Sequence, residues 1–227
     1  MANPSGVVRV ADRIWRVDNR LFSSNTYICA TGQGNDCFLV DPGLDPEAID
    51  AAMGTLALEP RQVFCTHGHF DHTGSASFFQ EKYGAPCHLH GADLKTLRGS
   101  KFLLMVFKIP FAMAMPRIVP AEGLAMQLGD QDLRFLFAPG HTPGSCVIRY
   151  GNSCFTGDTL YCSGVGLSKL PGENAGQLKA TLLDLWDQLP GEALILPGHG
   201  ECGDFTSIQR GNTPLLAFLG LAHHGER

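Results

Sequence analysis

The amino-acid sequence predicts an α/β fold in which two sheets pack together with helices on their outer sides. Three observations predict it. Short apolar runs alternate with helical patterns, and this alternation occurs twice in outline, before and after about residue 121. The apolar runs end in loops rich in glycine and proline, as strand ends do. The composition, 44% apolar and 17% charged over 227 residues, is that of a globular protein with a generous core. No sequence repeat and no linker-like stretch interrupts the pattern, so the expectation is one domain spanning residues 1–227.

Taken in order, Val7 to Val17 alternates apolar and polar residues and reads as two short strands about Ala11-Asp12. Asn25 to Cys29 and Cys37 to Val40 read as a second pair, joined by the turn-rich stretch from Thr31 to Asp36. Asp41-Pro42-Gly43 ends that strand, and Pro46 to Leu58 carries a helical pattern with proline at its start. The apolar run Val63-Phe64-Cys65 is a strand that enters a loop, with a helix expected to begin near Gly74 and run from Ser75 to Tyr83, stopped by Gly84. Pro86 to His90 is a strand. In the second half, Leu133 to Phe137 is a strand, and Cys146 to Tyr150 with Ser153 to Thr156 forms a hairpin about Gly151-Asn152. Ala175 to Gln188 is a helix, followed by a buried strand from Ala193 to Leu196.

Charge and cysteine usage narrow the function. A net charge of −5 gives no general attraction to nucleic acid, so no nucleic-acid partner is expected. No window reaches the roughly 18 uninterrupted apolar residues of a membrane span. Met1 to Val10 shows no apolar signal-peptide region. The eight cysteines form no C-x-x-C pair and mostly sit in apolar runs, which fits reduced, buried thiols and a cytoplasmic location.

One stretch concentrates chemistry. Thr66-His67-Gly68-His69-Phe70-Asp71-His72-Thr73-Gly74 places three imidazoles and a carboxylate within six residues. Imidazole suits zinc, iron and other transition metals, and carboxylate adds a hard oxygen. His67 and His69, two apart on extended chain, can point to one side. The following turn lets Asp71 and His72 aim at a second point. Later, His141, Asp158 and His199 each lie on a glycine-rich loop just after an apolar strand. Singly, each has an ordinary explanation as a turn residue.

The H-x-H-x-D-H string resembles the signature of the metallo-β-lactamase superfamily, and the likeness runs from about Trp15 to about Gly203. It implies an αββα sandwich of two mixed sheets flanked by helices. In this family pattern His67, His69 and His141 hold one metal. Asp71, His72 and His199 hold the other, and Asp158 bridges. The implied cofactor is two divalent metal ions, zinc first, with iron or manganese as alternatives. Asp41, in its D-P-G turn, resembles an aspartate that supports the metal loop from behind; a plain turn aspartate explains it equally well. His88-Leu89-His90 has ligand-like spacing but matches no family ligand and reads as a structural pair, and His223 and His224 read as solvent-facing.

The Asp158 bridge and the run Phe155 to Tyr161 resemble glyoxalase II and its hydrolase relatives. The antibiotic-hydrolysing members typically lack that bridge. The implied chemistry is hydrolysis of an activated carbonyl by a metal-bound hydroxide, with Asp71 as a catalytic ligand that steers it. No G-x-S-x-G elbow offers a protein nucleophile instead. Only Glu201 to Arg227 follows His199, too short for the C-terminal region with which glyoxalase II grips glutathione. Gly164-Val165-Gly166-Leu167-Ser168-Lys169 replaces a family Gly-x-Gly-Arg, with Lys169 either in the arginine's role or solvated at the surface.

An apolar insertion at about 99–119 separates the halves. Its core, Phe102 to Met115, holds three of the six methionines and has three readings: an acyl pocket or lid, a homodimer interface, and plain core. The leading expectation is a thioesterase acting on a small-molecule or carrier-bound acyl substrate, CoA-linked or acyl-carrier-linked. A lactonase of the same fold is the alternative, ahead of a persulfide dioxygenase or a non-catalytic ligand sensor.

Overall fold

The computed structural model of the chain describes residues 6–221; His223 and His224 lie outside the described residues. A first sheet contains β1 (Val7–Ala11), β2 (Ile14–Asp18), β3 (Asn25–Ala30), β4 (Asp36–Val40), β5 (Glu59–Phe64), β6 (Cys87–Leu89) and β7 (Ile118–Pro120), side by side in chain order. β1 to β4 pair antiparallel, and β4 to β7 pair parallel. A second sheet runs in the order β13-β12-β11-β10-β9-β8, from β8 (Ala125–Leu128), β9 (Gln131–Phe137), β10 (Cys146–Tyr150), β11 (Ser153–Gly157), β12 (Leu194–Pro197) and β13 (Gly203–Asp204). Only β11 and β12 are parallel in it. The mixed sheets are those the sequence predicts.

The layers follow from the period of two along each strand. In β4, Phe38 and Val40 face the other sheet, whereas Cys37 and Leu39 face outward. In β10, Ile148 and Tyr150 face inward and Val147 outward. Strands buried on both faces read as unbroken apolar runs, which is why they were visible in the sequence. Between the sheets, Tyr27, Phe38, Phe64, Phe135 and Phe155 interlock, with Phe38 edge-on to Tyr150 at 4.9 Å. Outside the first sheet lie α1 (Pro46–Leu56), α2 (Phe70–Thr73), α3 (Ala76–Tyr83) and α4 (Leu94–Val106). Outside the second lie α5 (Ala175–Gln188), α6 (Phe205–Gly211) and α7 (Thr213–Leu219). The architecture is an αββα sandwich.

Several elements differ from expectation. α1 stops at Leu56 because Ala57 adopts a left-handed conformation, two residues short of the predicted end. The helix expected near Gly74 starts earlier, so that Asp71 and His72 are helical. The N-terminal half of the apolar insertion is α4; Leu97 and Leu104 are buried beneath it and Met113 joins the same core. β7, β8, α6 and α7 were not anticipated; α6 is capped by the Asp204 side chain and α7 by that of Asn212. No helix among the described residues is long and apolar enough to cross a membrane.

Candidate metal centre

The ends of the two sheets meet at the ligand-bearing loops. Cys146 N donates to Thr66 O at 2.9 Å, and Asn25 N to Gly198 O at 2.7 Å, tying strands of one sheet to loops of the other. The loop after β5 carries His67 and His69, and α2 presents Asp71 and His72. The loops after β9, β11 and β12 bring His141, Asp158 and His199.

These residues form two joined clusters. His67 Nε2 and His141 Nε2 each lie 3.1 Å from His69 Nδ1. Nitrogens at about 2.0–2.1 Å from a tetrahedral zinc lie roughly 3.3 Å apart, close to this spacing. In the second cluster, Asp71 Oδ2 is 3.2 Å from His199 Nε2 and 3.4 Å from His72 Nε2. Asp158 touches both: Oδ1 is 3.4 Å from His72 Nε2, and Oδ2 is 3.4 Å from His141 Nε2 and 3.6 Å from His199 Nε2. His72 Nε2 and Asp158 Oδ1 are buried without a hydrogen-bond partner. Such orphaned acceptors are costly unless something absent from the protein satisfies them.

The back of each ring decides where its lone pair points. Asp41 Oδ2 accepts from Thr66 Oγ1 at 2.7 Å and from His72 Nδ1 at 3.0 Å. Thr66 Oγ1, having given its proton to Asp41, accepts from His67 Nδ1 at 3.1 Å. His141 Nδ1 donates to Gly166 O at 3.3 Å, and His199 Nδ1 to Ser23 O at 3.2 Å. Four Nε2 atoms therefore face inward. Asp41, with Oδ1 also accepting from Thr66 N at 2.7 Å, supports this loop from behind, which settles its two open sequence readings. The second support was missed. Asp93, fully buried, accepts from Gly68 N, Gly144 N and Thr142 Oγ1, each at 2.7 Å, and so clamps the His67–His69 loop to the His141 loop. Its position just before α4 makes it look like an ordinary helix cap.

Electrostatics divide the centre. Burial, then the neighbouring imidazoles, push His67 well below its ordinary value, and burial and His141 bring His69 down to about 4. Burial also opposes charge on His72 and His199, but Asp71 and Asp158 outweigh it and raise both. Burial works against the Asp71 and Asp158 charges too, yet the surrounding histidines hold both carboxyls below the usual range. His67 and His69 are thus held neutral, whereas His72 and His199 are biased toward protons that a cation bound beside the ionised Asp71 and Asp158 would displace. Glycine makes room for this: a Cβ on Gly198 would collide with Asp158 Oδ1.

The centre opens into a cavity of about 290 Å³ whose wall includes Phe22, Phe70, Phe107, Tyr161, Leu167 and Leu170. Phe22 packs edge-on to Phe70 at 4.9 Å and lies 5.9 Å from Phe107. Burial, then Asp158, raise the Tyr161 phenol well above its ordinary value, so it stays a donor at neutral pH. Phe107 thus brings the insertion to the site, whereas Met113 does not reach it. Lys169 is exposed and does not line the cavity. His88 Nε2 donates to Gln62 Oε1 at 2.8 Å and His90 stacks on Phe137 at 4.6 Å, so this pair is occupied elsewhere.

Comparison with known proteins agrees with the geometry. Residues 19–199 match the family model of the metallo-beta-lactamase superfamily. An uncharacterized protein of Mycobacterium tuberculosis is 31% identical over 220 residues, covering 88% of this chain and 95% of its own. A hydroxyacylglutathione hydrolase of Anaeromyxobacter dehalogenans is 32% identical over 182 residues, covering 80% of this chain but only 64% of its own. The crystal structure of TTHA1623 in a di-iron-bound form superposes with a TM-score of 0.78 at 32% identity, covering 87% of this chain and 98% of that one.

Proposed function

The chain belongs to the metallo-beta-lactamase superfamily, and from that membership and this centre we propose a dinuclear-metal hydrolase acting on acyl thioesters. The observation that carries the proposal is the pair of inward-facing acceptor clusters bridged by Asp158, with His72 Nε2 and Asp158 Oδ1 orphaned. His67, His69 and His141 would hold one ion and Asp71, His72 and His199 the other, with Asp158 shared. Two divalent ions there would supply a water acidic enough to act at neutral pH and a Lewis acid for the carbonyl. Zinc suits the donor set, and the di-iron form of a structural relative keeps iron beside it.

The protein's own groups do the rest. Asp41 and Thr66 fix the ring orientations of His72 and His67, and Asp93 holds the two histidine loops together. Asp71 would share in holding the second ion and is placed to orient a water there. Tyr161 offers a phenolic proton to an oxygen that gains charge. Phe22, Phe70 and Phe107 give an acyl chain an apolar wall, which favours thioesters with extended acyl groups over compact lactones. The stretch shared with the hydroxyacylglutathione hydrolase is 64% of that protein's own length, so its glutathione thioester is one substrate to be tested rather than carried over.

The test is turnover of acyl thioesters, chain-matched lactones and β-lactams by protein of measured metal content. A lactone preference of about tenfold or more, some 1.4 kcal/mol of transition-state binding, would replace thioesterase by lactonase. Folded protein that takes up no metal would remove the hydrolase assignment altogether.

A further inference from the structure

The exposed face of α4 is divided along the helix axis. Lys95, Arg98 and Lys101 lie on its first turns, and Phe102, Met105 and Val106 on its last. Those three apolar side chains are 61%, 66% and 52% exposed, and their i, i+3, i+4 spacing makes them one ridge. Phe107, itself 43% exposed, carries the ridge to Phe22 at the cavity mouth, where Leu21 and Leu167 are also exposed. Between Leu94 and Pro116 the charged residues are Lys95, Arg98, Lys101 and Lys108, with no carboxylate among them, in a chain of net charge −5. Single exposed apolar residues are ordinary, but a contiguous group at the mouth of a site marks an interaction surface.

We propose that this ridge seats the protein on an anionic lipid surface. Phe102, Met105 and Val106 enter the boundary between headgroups and acyl chains, and Lys95, Arg98 and Lys101 meet the headgroup phosphates. Lys101 precedes Met105 and Val106 at the apolar tip by a rise of roughly 6–8 Å along the helix, which matches the shallow depth reached by interfacial helices. The lipid surface answers both halves of the face at once. A second copy packed on the same face would set cations against cations, with no carboxylate in the segment to answer them. An acidic carrier protein would satisfy the cations but would need an apolar groove for a ridge this exposed. Docked in this way, the cavity mouth faces the lipid, and a long-chain acyl substrate reaches Phe107 and Phe22 without crossing water. The inference holds whichever carbonyl the centre cleaves.

The experiment is flotation of the purified full chain with vesicles of phosphatidylcholine alone or mixed with phosphatidylglycerol, without substrate. Binding is expected to the mixed vesicles, and to weaken about tenfold or more when Arg98→Glu and Lys101→Glu are combined. Phe102→Asp with Met105→Asp should abolish it. Both double variants should keep the parent's thermal midpoint, because the replaced side chains are exposed. Binding to neither vesicle, or equally to both, would overturn the proposal. So would a dimer in light scattering that Phe102→Asp dissolves, or capture of an acidic acyl-carrier protein by a chain that ignores vesicles. Since no turnover is measured, a failure here leaves the hydrolase assignment untouched.

Discussion

Replacing Asp93 with Asn tests how the centre is held together. The Asp93 carboxylate Oδ2 accepts from Gly68 N and Thr142 Oγ1, and Oδ1 accepts from Gly144 N and, at 3.3 Å, from Thr96 Oγ1. Asparagine has one acceptor oxygen. Whichever way its amide turns, an NH2 group faces either Gly68 N or Gly144 N, and that buried donor loses its partner. Thr142 can rotate its hydroxyl to accept instead; a backbone N–H cannot. One orphaned N–H costs about 1–3 kcal/mol, and the loss of charge weakens the remaining bonds, for a total of roughly 2–4 kcal/mol. For a chain of this size that is a midpoint lower by roughly 5–12 °C, measured in chelator so that metal does not contribute. Both loops at risk belong to the His67–His69–His141 cluster, so its metal affinity should fall about ten- to a hundredfold. The Asp71–His72–His199 cluster should keep its ion. Elemental analysis after dialysis against graded chelator reads this directly. A variant that unfolds earlier but retains both ions at parental affinity would make Asp93 a residue of the fold alone and refute the clamp.

Three further outcomes are expected. Tyr161→Phe should lower kcat by about a hundredfold with metal content unchanged, if its phenol assists the reacting oxygen; an unchanged kcat would remove it from the chemistry. Metal ligands must be deprotonated, so ions are lost as pH falls. His72 and His199, raised by their carboxylates, take protons at higher pH than His69, which is depressed to about 4. The Asp71–His72–His199 ion should therefore leave first on acidification; metal analysis across a buffer series showing one step, or the reverse order, would contradict this. Finally, kcat/KM should climb with acyl length by up to about fourfold per methylene, the equivalent of ~0.8 kcal/mol. Phe107→Ala should flatten that climb without unfolding the protein. Met113→Ala should instead cost about 2–5 kcal/mol of stability and affect all chain lengths alike, because Met113 is core.

What was legible in the sequence follows from what kind of signal each element leaves. β4 and β12 are buried on both faces and appear as unbroken apolar runs, as does the Val63-Phe64 end of β5. The seven candidate ligands were legible because His and Asp in this spacing have few other uses, and the structure brings all seven together in the two joined clusters. α4 was hidden for the opposite reason. A surface helix announces itself by a polar outer face, and the last turns of α4 carry Phe102, Met105 and Val106 there, so the 3.6-residue period dissolves into an apolar run. The same run left Met113 open among pocket, interface and core, since composition alone cannot separate a residue facing the cavity from one facing the core. Asp93 shows a deeper limit. Two of its three closest partners are the N–H groups of Gly68 and Gly144, and a backbone N–H is present at every residue except proline. A ligand can be read from its residue type, but a clamp that grips main chain has a partner that no residue type marks. It becomes visible only when the ends of β5 and β9 are brought together around it.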